Sequence, residues 1–225
     1  TVASYATTDT KEEFWATWRE RFAGATEATR QKEQEKEEAL IESLVNQPLD
    51  PKVAQRLYAD CTPPQRSELL ARAALPQVTN VQDQYLYWLA RPERLLDLTG
   101  HFILFEGSVK KICRYQQYFA IKKIMQRIRT VHGGRRRGGV VWHTQGSGKS
   151  LTMVMLAQLI AQTVSNPKIV LVTDRVELDE QITDTFGRID KGFVRNAKTG
   201  NELVELLQSP GDAVVTTVIN NFEAA

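Results

Sequence analysis

The sequence predicts an α/β protein in which a helical N-terminal region is followed by a domain built on a parallel sheet. Up to Gly100 the apolar residues recur at helical spacing, and no segment shows the alternation of a strand. Beyond residue 138, short apolar runs alternate with helical segments, which is the order that builds a parallel sheet. A glycine-bearing turn joins the first of these runs to a helix. We therefore expect two domains, residues 1–100 and residues 101–225.

The composition is typical of a globular protein. Hydrophobic residues make up 42% and charged residues 25% of the 225 residues, and the net charge is +2. No apolar run approaches the roughly 20 residues of a membrane span, and no secretory signal is visible, so we expect a cytoplasmic protein without a membrane partner. Cys61 and Cys113 lack metal-ligand spacing and indicate thiols in a reducing compartment. The chain lacks an initiator Met, and we expect it to be a piece of a longer protein.

The N-terminal region carries several helix signals. Residues 11–22 place four aromatic side chains on one helical face, which predicts a packed helix. Residues 27–45 carry mixed charges at helical spacing, which suits a solvated helix. Asp50-Pro51 and Thr62-Pro63 are typical helix starts, because Asp or Thr can cap and Pro fits the first turn. Residues 80–98 predict a further helix, interrupted by a proline.

A basic segment precedes the glycine-bearing turn. Residues 107–138 contain no Asp or Glu. Their cations are Lys110, Lys111, Arg114, Lys122, Lys123, Arg127, Arg129, Arg135, Arg136 and Arg137. We predict a strand at residues 101–106 and an amphipathic helix at residues 112–131. For the glycine-arginine segment 133–139, a solvated disordered loop and a DNA-binding loop both remain open.

The remaining segments alternate between strand and helix. Strands are predicted at residues 139–143, 168–173, 192–195 and 213–217. Helices are predicted at residues 148–164, 175–185 and 201–207. Such sheets bind ligands beyond the carboxyl ends of their strands, where the glycine-bearing turn is expected to lie.

This turn, Gly146-Ser-Gly-Lys-Ser150, has the pattern of a phosphate-binding loop. Glycines let the backbone approach an anion closely, and the free N–H groups of the new helix point at it. Lys149 would reach the outer phosphates, and the Ser150 hydroxyl would bind Mg²⁺. His143 stands where the usual pattern G-x-x-x-x-G-K-S/T has its first glycine. The alternative is a structural turn with a chance Lys-Ser, but the flanking strand and helix favour phosphate binding.

Phosphate loops serve several classes of protein. A GTPase would need D-x-x-G at the end of a strand. Asp184–Gly187 has that spelling but follows a predicted helix, and no N-K-x-D comes after it. A small-molecule kinase remains open, although it would not need the helical residues 1–100.

Four blocks of residues together resemble one family. They are His101-Phe-Ile-Leu-Phe-Glu106, Lys110-Lys-Ile-Cys-Arg-Tyr-Gln-Gln117, Val141-Trp-His-Thr-Gln-Gly-Ser-Gly-Lys-Ser150, and Val172-Thr-Asp-Arg175 with Gln181. This set is similar to the restriction subunit of type I restriction-modification enzymes, in which Trp-His-Thr-Gln before the loop is itself characteristic. The resemblance covers about residues 95–225 and implies that 101–225 are the N-terminal part of a RecA-like motor domain of helicase superfamily 2.

The resemblance implies ATP and Mg²⁺ as cofactors, with Lys149 and Ser150 as catalytic residues and Ser150 as the metal ligand. Gln117 or Gln116 would read the adenine edge, since an amide can both donate and accept. The cofactor-binding residues would be Gln116, Gln117, Thr144, Gln145, Gly146, Ser147, Gly148, Lys149, Ser150 and Leu151. The DNA-facing residues would be Asp174, Arg175, Gln181, Thr216 and Thr217.

In that family ATP hydrolysis drives translocation of double-stranded DNA, cleavage follows far from the recognition site, and the partners are modification and specificity subunits. The resemblance places the nuclease centre outside this chain and its Mg²⁺-binding Asp-Glu box after residue 225. We therefore expect this chain alone to bind nucleotide weakly and to hydrolyse ATP negligibly. The alternatives are a non-catalytic docking module joined to a degenerate half-motor, or another phosphate-loop DNA helicase.

Overall fold

A computed structural model describes residues 4–8, 10–22, 26–189, 194–211 and 213–223. The chain divides into two compact units. The first comprises Thr1–Ser4 and Thr17–Leu95, and the second comprises Tyr5–Ala16 and Leu96–Ala225. One boundary between the units lies between Leu95 and Leu96, and residues 5–16 group with the second unit, which the sequence does not indicate.

Two short strands come first, β1 (Ser4–Tyr5) and β2 (Ala16–Thr17). The predicted helix over residues 11–22 is wrong, because only Glu12–Phe14 form a single 3-10 turn. The indole Nε1 of Trp15 donates to Thr10 O at 2.8 Å, so a side chain, and not the backbone N–H of a helix, bonds this carbonyl. The aromatic residues therefore do not share one packed face: Phe14 is 66% exposed, whereas Trp18 is fully buried.

The first unit is helical, as predicted. Its helices are α1 (Glu27–Val45), α2 (Pro51–Leu57), α3 (Pro63–Ala73) and α4 (Val81–Ala90), and the following α5 (Pro92–His101) runs across the division between the units. The predicted cap at Asp50 is confirmed, since its Oδ1 accepts from the backbone N–H of Lys52 at 2.8 Å. Trp18 lies under the guanidinium of Arg94, 4.7 Å from the ring centroid, and Arg94 also pairs with Glu20 at 2.9 Å.

The second unit continues with two hairpins and a helix. Strand β3 (Ile103–Glu106) pairs antiparallel with β4 (Val109–Ile112), and α6 (Tyr115–Arg129) follows. Strands β5 (Val131–His132) and β6 (Arg135–Arg136) then form a second hairpin. Residues 133–136 of the glycine-arginine segment therefore belong to a hairpin, and Arg136 Nη1 donates to Ile128 O at 2.7 Å.

The rest of the second unit alternates between helices and the strands of a parallel sheet, as predicted. Its elements are α7 (Lys149–Thr163), β7 (Lys168–Thr173), α8 (Val176–Ile189), β8 (Val194–Ala197), α9 (Gly200–Gln208) and β9 (Ala213–Val218). The strand order is β7-β9-β8, and both pairings are parallel. Residues 192 and 193, where we expected the second of these strands to begin, lie outside the described residues. No helix of the described residues is long and apolar enough to cross a membrane.

The strand predicted directly before the loop is not formed. Residues 137–144 have no regular structure, and Val140 and Trp142 are each 91% exposed. A strand needs a hydrogen-bonded neighbour, and within the described residues this segment pairs with no other strand. The apolar sequence is of strand type, but pairing decides whether it becomes a strand.

Asp97 joins α5 to α6. Its Oδ2 accepts from the Tyr118 hydroxyl at 2.6 Å and from Lys122 Nζ at 2.8 Å, and its Oδ1 lies 3.2 Å from His101 Nδ1. Burial alone would raise the pKa of Asp97, but the hydrogen bonds from Lys122 and Tyr118 outweigh it and lower that pKa below its ordinary value. The carboxylate form therefore stabilises the folded unit.

We expect Asp97→Asn to lower the free energy of unfolding by about 1–2 kcal/mol at pH 7, because two charge-assisted hydrogen bonds are weakened. The pKa of the folded state is the lower one, so the stabilisation is complete above the unfolded value of about 3.9 and is lost as pH falls through the folded value. Urea unfolding measures the free energy of unfolding of both chains at pH 7 and near pH 3. The difference between the variant and the wild type should be smaller at the lower pH. Asp184→Asn, an exposed carboxyl of the same unit, is the control and should change little. An unchanged difference at low pH would contradict the assignment.

Candidate functional site

The loop before α7 depends on two glycines. Gly146 has φ +75° and Gly148 has φ +80°, in the left-handed region that side chains disfavour. Gly148 caps α7, and its carbonyl accepts from the Thr152 hydroxyl at 3.0 Å. The two glycines thus turn the chain sharply into a helix of 15 residues.

Gln117 holds this loop from α6. Its Nε2 donates to Gly148 O at 3.0 Å and to Ser147 O at 3.4 Å, and its Oε1 accepts from the backbone N–H of Arg114 at 2.7 Å. A Cβ at Gly148 would lie only 2.7 Å from Gln117 Nε2, so the contact leaves no room for a side chain. The amide expected to read adenine therefore faces the backbone of the loop. Gln116 is half-buried, and its Oε1 has no hydrogen-bond partner among the described residues.

The donors of an anion site converge on the loop. Ser147 is 8% exposed, and its hydroxyl has no partner among the described residues. Lys149 Nζ is exposed and donates to Thr144 O at 3.0 Å and to His143 O at 3.4 Å. The first turn of a helix has no internal acceptors for its N–H groups. An ammonium, an unpartnered hydroxyl and free N–H groups together fit the phosphates of a nucleotide.

The other predicted loop residues surround these donors. Thr144 and Gln145 are exposed on the approach to the loop, whereas Ser150 and Leu151 are half-buried in the first turn of α7. Ser150 is the second residue of α7, in the turn whose N–H groups have no internal acceptor. This is the position that the phosphate-loop pattern gives to its Mg²⁺ ligand. Within the described residues no group of three or more His, Cys, Asp and Glu side chains could itself hold a metal.

The electrostatic setting of the loop favours anions. From Gly107 to Thr173 the sequence contains no Asp or Glu. The N-terminus of α7 adds its positive dipole end. No carboxylate of this stretch competes with a phosphate for the donors.

A cavity of about 850 Å³ borders the loop within the second unit. Gly146, Ser147 and Gly148 line one part of it, together with Arg114 and Gln117. Other parts are lined by β4 and by residues of the 5–16 segment. The loop is therefore at the side of a space large enough for a small-molecule ligand.

The predicted DNA-facing residues separate into two groups. Asp174 and Arg175 lie directly after β7 with side chains 73% and 76% exposed, and Gln181 is exposed on α8. Thr216 and Thr217 are fully buried. The first three are available to a ligand at the surface, and the two threonines are not.

Thr216 and Thr217 are buried because β9 is the central strand of the sheet. The Thr216 hydroxyl accepts from Asn196 Nδ2 at 2.9 Å and lies 2.7 Å from the Thr183 hydroxyl. The Thr217 hydroxyl donates to Ala197 O and accepts from Asn221 Nδ2, both at 3.0 Å. Direct DNA contact by these two side chains, as the sequence suggested, is therefore not what the structure shows; they hold the strand ends together.

Sequence reasoning missed the polar cluster around them. Asp179 is 5% exposed and its Oδ2 accepts from Asn196 Nδ2, while its Oδ1 has no partner within the described part of the chain. Asp179 and Thr183 are four residues apart on α8, so they share a face, but that spacing alone does not tell a buried pair from a solvated one. The cluster becomes visible only in the structure, where Asn196 of β8 bonds Asp179, Thr183 and Thr216.

Comparison with known proteins agrees with this geometry. Residues 116–225 match the SWI2/SNF2 ATPase family. The match begins at α6 and includes the loop, the sheet and the segment after β7.

Curated relatives match a similar share of the chain. The type I restriction enzyme HindI endonuclease subunit of Haemophilus influenzae is 40% identical over 147 residues, covering 60% of this chain and 14% of that protein. The putative type I restriction enzyme MjaIXP endonuclease subunit of Methanocaldococcus jannaschii is 36% identical over 147 residues, covering 62% and 14%. A type I restriction enzyme endonuclease subunit of Staphylococcus aureus is 28% identical over 137 residues, covering 60% and 14%.

The aligned region is about a seventh of the length of each of these relatives. The family match covers the loop and the sheet within this chain. The chain is thus similar to endonuclease subunits of type I restriction enzymes, and its residues 116–225 match the SWI2/SNF2 ATPase family.

Proposed function

We propose that this chain is the part of a type I restriction endonuclease subunit in which a helical connector leads into an ATP-dependent motor acting on double-stranded DNA. The observation that carries the proposal is the loop itself. Gly146 and Gly148 form the left-handed turn, the Ser147 hydroxyl is buried without a partner among the described residues, and Lys149 bends over the loop carbonyls. Together these donors fit an anion.

Each loop residue has a separate task in this proposal. Lys149 leaves the carbonyls of His143 and Thr144 and binds the outer phosphate oxygens as a point charge. The N–H groups of the first turn of α7 hold the inner phosphates, and the Ser150 hydroxyl ligates Mg²⁺. Bound Mg-ATP supplies a phosphoanhydride bond, the hydrolysis of which provides the free energy for movement.

Gln117 is assigned a supporting task. Its amide already bonds Ser147 O, Gly148 O and the N–H of Arg114, so it keeps the loop open and in register with α6. Gln116, with an unpartnered Oε1 among the described residues, remains the other candidate for adenine. Both amides lie at the start of the family match.

The surface after β7 is proposed to face DNA. Arg175 is exposed and can pair with a phosphate, while Gln181 lies on the next exposed turns of α8. The basic residues of the 107–138 stretch add charge that attracts DNA without reading its sequence. Thr216 and Thr217 act indirectly, by fixing the ends of β8 and β9 from inside.

The names of the relatives support the wider role. They describe endonuclease subunits of type I restriction enzymes. We infer that the complete protein couples ATP hydrolysis to DNA translocation and cleavage, with modification and specificity subunits as its partners.

Lys149→Ala should weaken Mg-ATP binding by at least about tenfold, because a charge-assisted contact to phosphate is lost. Calorimetric titration of Mg-ATP into wild type and variant measures this. Lys123→Ala removes another exposed lysine of the same unit and should leave the affinity unchanged. Equal affinity for wild type and Lys149→Ala, or no binding by the wild type up to millimolar nucleotide, would contradict the proposal.

Gly148→Ala should also weaken Mg-ATP binding, for a geometric reason. The added Cβ would meet Gln117 Nε2 at 2.7 Å, and a φ of +80° strains alanine by about 1–2 kcal/mol. Gly187→Ala is the matched control, since a Cβ there meets no atom within 4 Å and the residue lies in α8. Thermal unfolding and the same titration should show lower stability and weaker Mg-ATP binding for Gly148→Ala, and no decrease in either for Gly187→Ala. A Gly148→Ala chain that binds as wild type would mean that the loop does not need this turn.

Arg175→Ala should weaken binding to a double-stranded DNA of any sequence. Loss of one phosphate contact lowers the slope of log affinity against log salt by about 0.9. Fluorescence anisotropy at several salt concentrations gives that slope. Arg72→Ala, an exposed arginine of α3, serves as the control. An unchanged slope for Arg175→Ala would remove this surface from the proposed interface.

A further inference from the structure

The cavity beside the loop has a second wall that the phosphate-binding residues do not explain. It is formed by the segment before the helical unit, including Thr8, Thr10, Lys11 and Phe14. These residues belong to the same compact unit as the loop, although about 130 residues separate them in sequence. The space therefore extends from phosphate donors to residues of quite different chemistry.

This N-terminal segment is anchored by specific hydrogen bonds. The Tyr5 hydroxyl donates to Cys113 O at 2.8 Å, and the Thr7 hydroxyl donates to Lys110 O at 2.7 Å. Burial raises the pKa of the Tyr5 hydroxyl, so Tyr5 remains a neutral donor. The first anchor joins the segment to the residue after β4, and the second joins it to β4 itself.

The hairpin on which the segment lies is fixed in turn. Arg188 Nη1 of α8 donates to Glu106 Oε1 at 3.2 Å, and the backbone N–H of Gly107 donates to Arg188 O at 3.4 Å. A hydrogen bond from Lys111, followed by the one from Arg188, lowers the pKa of Glu106 and keeps it a carboxylate acceptor. The second wall is therefore attached to the fold and not left as a free tail.

The chemistry of this wall suits the base end of a nucleotide. Phe14 lines the cavity with 66% of its surface exposed, which leaves a phenyl ring without cover. An exposed aromatic ring can stack on a nucleobase of any type, because every base has a π-face. Thr8, Thr10 and Lys11 supply polar groups beside it. The amide of Gln117, by contrast, is fully used by the loop and by Arg114.

We propose that residues 5–8 and 10–14 form the base-binding wall of the nucleotide site, with Phe14 stacking on the base while the loop holds the phosphates. This rests on the proposed function of the loop and adds the groups that distinguish a nucleoside triphosphate from a bare polyphosphate. A ligand that contacts both walls stabilises the segment in its anchored position. Nucleotide occupancy is thereby linked to the order of the chain that precedes the helical unit.

The experiment compares Mg-ATP with Mg-tripolyphosphate, which has the phosphates but no base. Phe14→Ala should weaken Mg-ATP binding about tenfold, because base stacking is lost, and should leave the affinity for tripolyphosphate unchanged. Phe14→Trp should restore Mg-ATP binding. Phe105→Ala is the matched control, because that phenylalanine is 55% exposed on β3 and does not line the cavity. Thermal unfolding without ligand checks that each variant is folded.

A second readout follows the segment itself. Trypsin should cut after the exposed Lys11, and Mg-ATP should slow that cleavage whereas tripolyphosphate should not. Tyr5→Phe removes one anchor and should lower the affinity for Mg-ATP alone.

The outcomes separate the two proposals. If Phe14→Ala binds Mg-ATP as wild type while Lys149→Ala loses it, the base wall is wrong and the phosphate loop stands. If the wild type binds Mg-ATP no better than tripolyphosphate, the base wall is likewise wrong. Equal loss of both ligands in a folded Phe14→Ala chain would show an effect on the loop and overturn the assignment to the base. If the wild type binds neither ligand, the proposed function itself fails.

Discussion

The contact between Gln117 and the backbone of Gly148 is the constraint on which the site depends. It joins the start of α6 to the start of α7, and a side chain at Gly148 would exclude it. Because Gln117 Oε1 also accepts from Arg114, one amide fixes both helix N-termini. Two separate features therefore favour glycine at position 148: its left-handed φ, and the amide that occupies the space of a Cβ.

Electrostatics build on that geometry. The stretch from Gly107 to Thr173 has no carboxylate, so the helix dipole, the N–H groups and Lys149 act without opposition from within it. Strand β4 and the β5–β6 hairpin place basic side chains of this stretch on regular backbone, and Arg136 joins the β5–β6 hairpin to Ile128 of α6. An anion-attracting region of this kind suits nucleotide phosphates and a DNA backbone alike, so charge by itself does not separate the two proposed ligands.

The sheet supplies the third part of the arrangement. β9 lies between two parallel neighbours, and its buried threonines use their hydroxyls to bond Asn196, Thr183, Ala197 and Asn221. Polar side chains at the end of a central strand can satisfy one another only when the neighbouring strand and helix are in register. The residues proposed to face DNA therefore divide into exposed ones after β7 and on α8, and buried threonines that bond within the sheet.

By itself the sequence determined the alternation of strands and helices, the helix starts at Asp50 and Thr62, and the glycine-bearing turn with Lys149 and Ser150. These follow from local periodicity and local capping chemistry, which neighbouring residues control. It also suggested a helix at residues 11–22 and a strand at residues 139–143, and both predictions are wrong. In the first segment the Trp15 side chain bonds the backbone of Thr10, and the second has no partner strand within the described residues. Only the tertiary structure decided that Gln117 faces the loop, that Thr216 and Thr217 are internal, and that Phe14 lines the same cavity as Gly148. Each of those facts is a contact between residues far apart in the chain, and such contacts depend on the packing of whole elements.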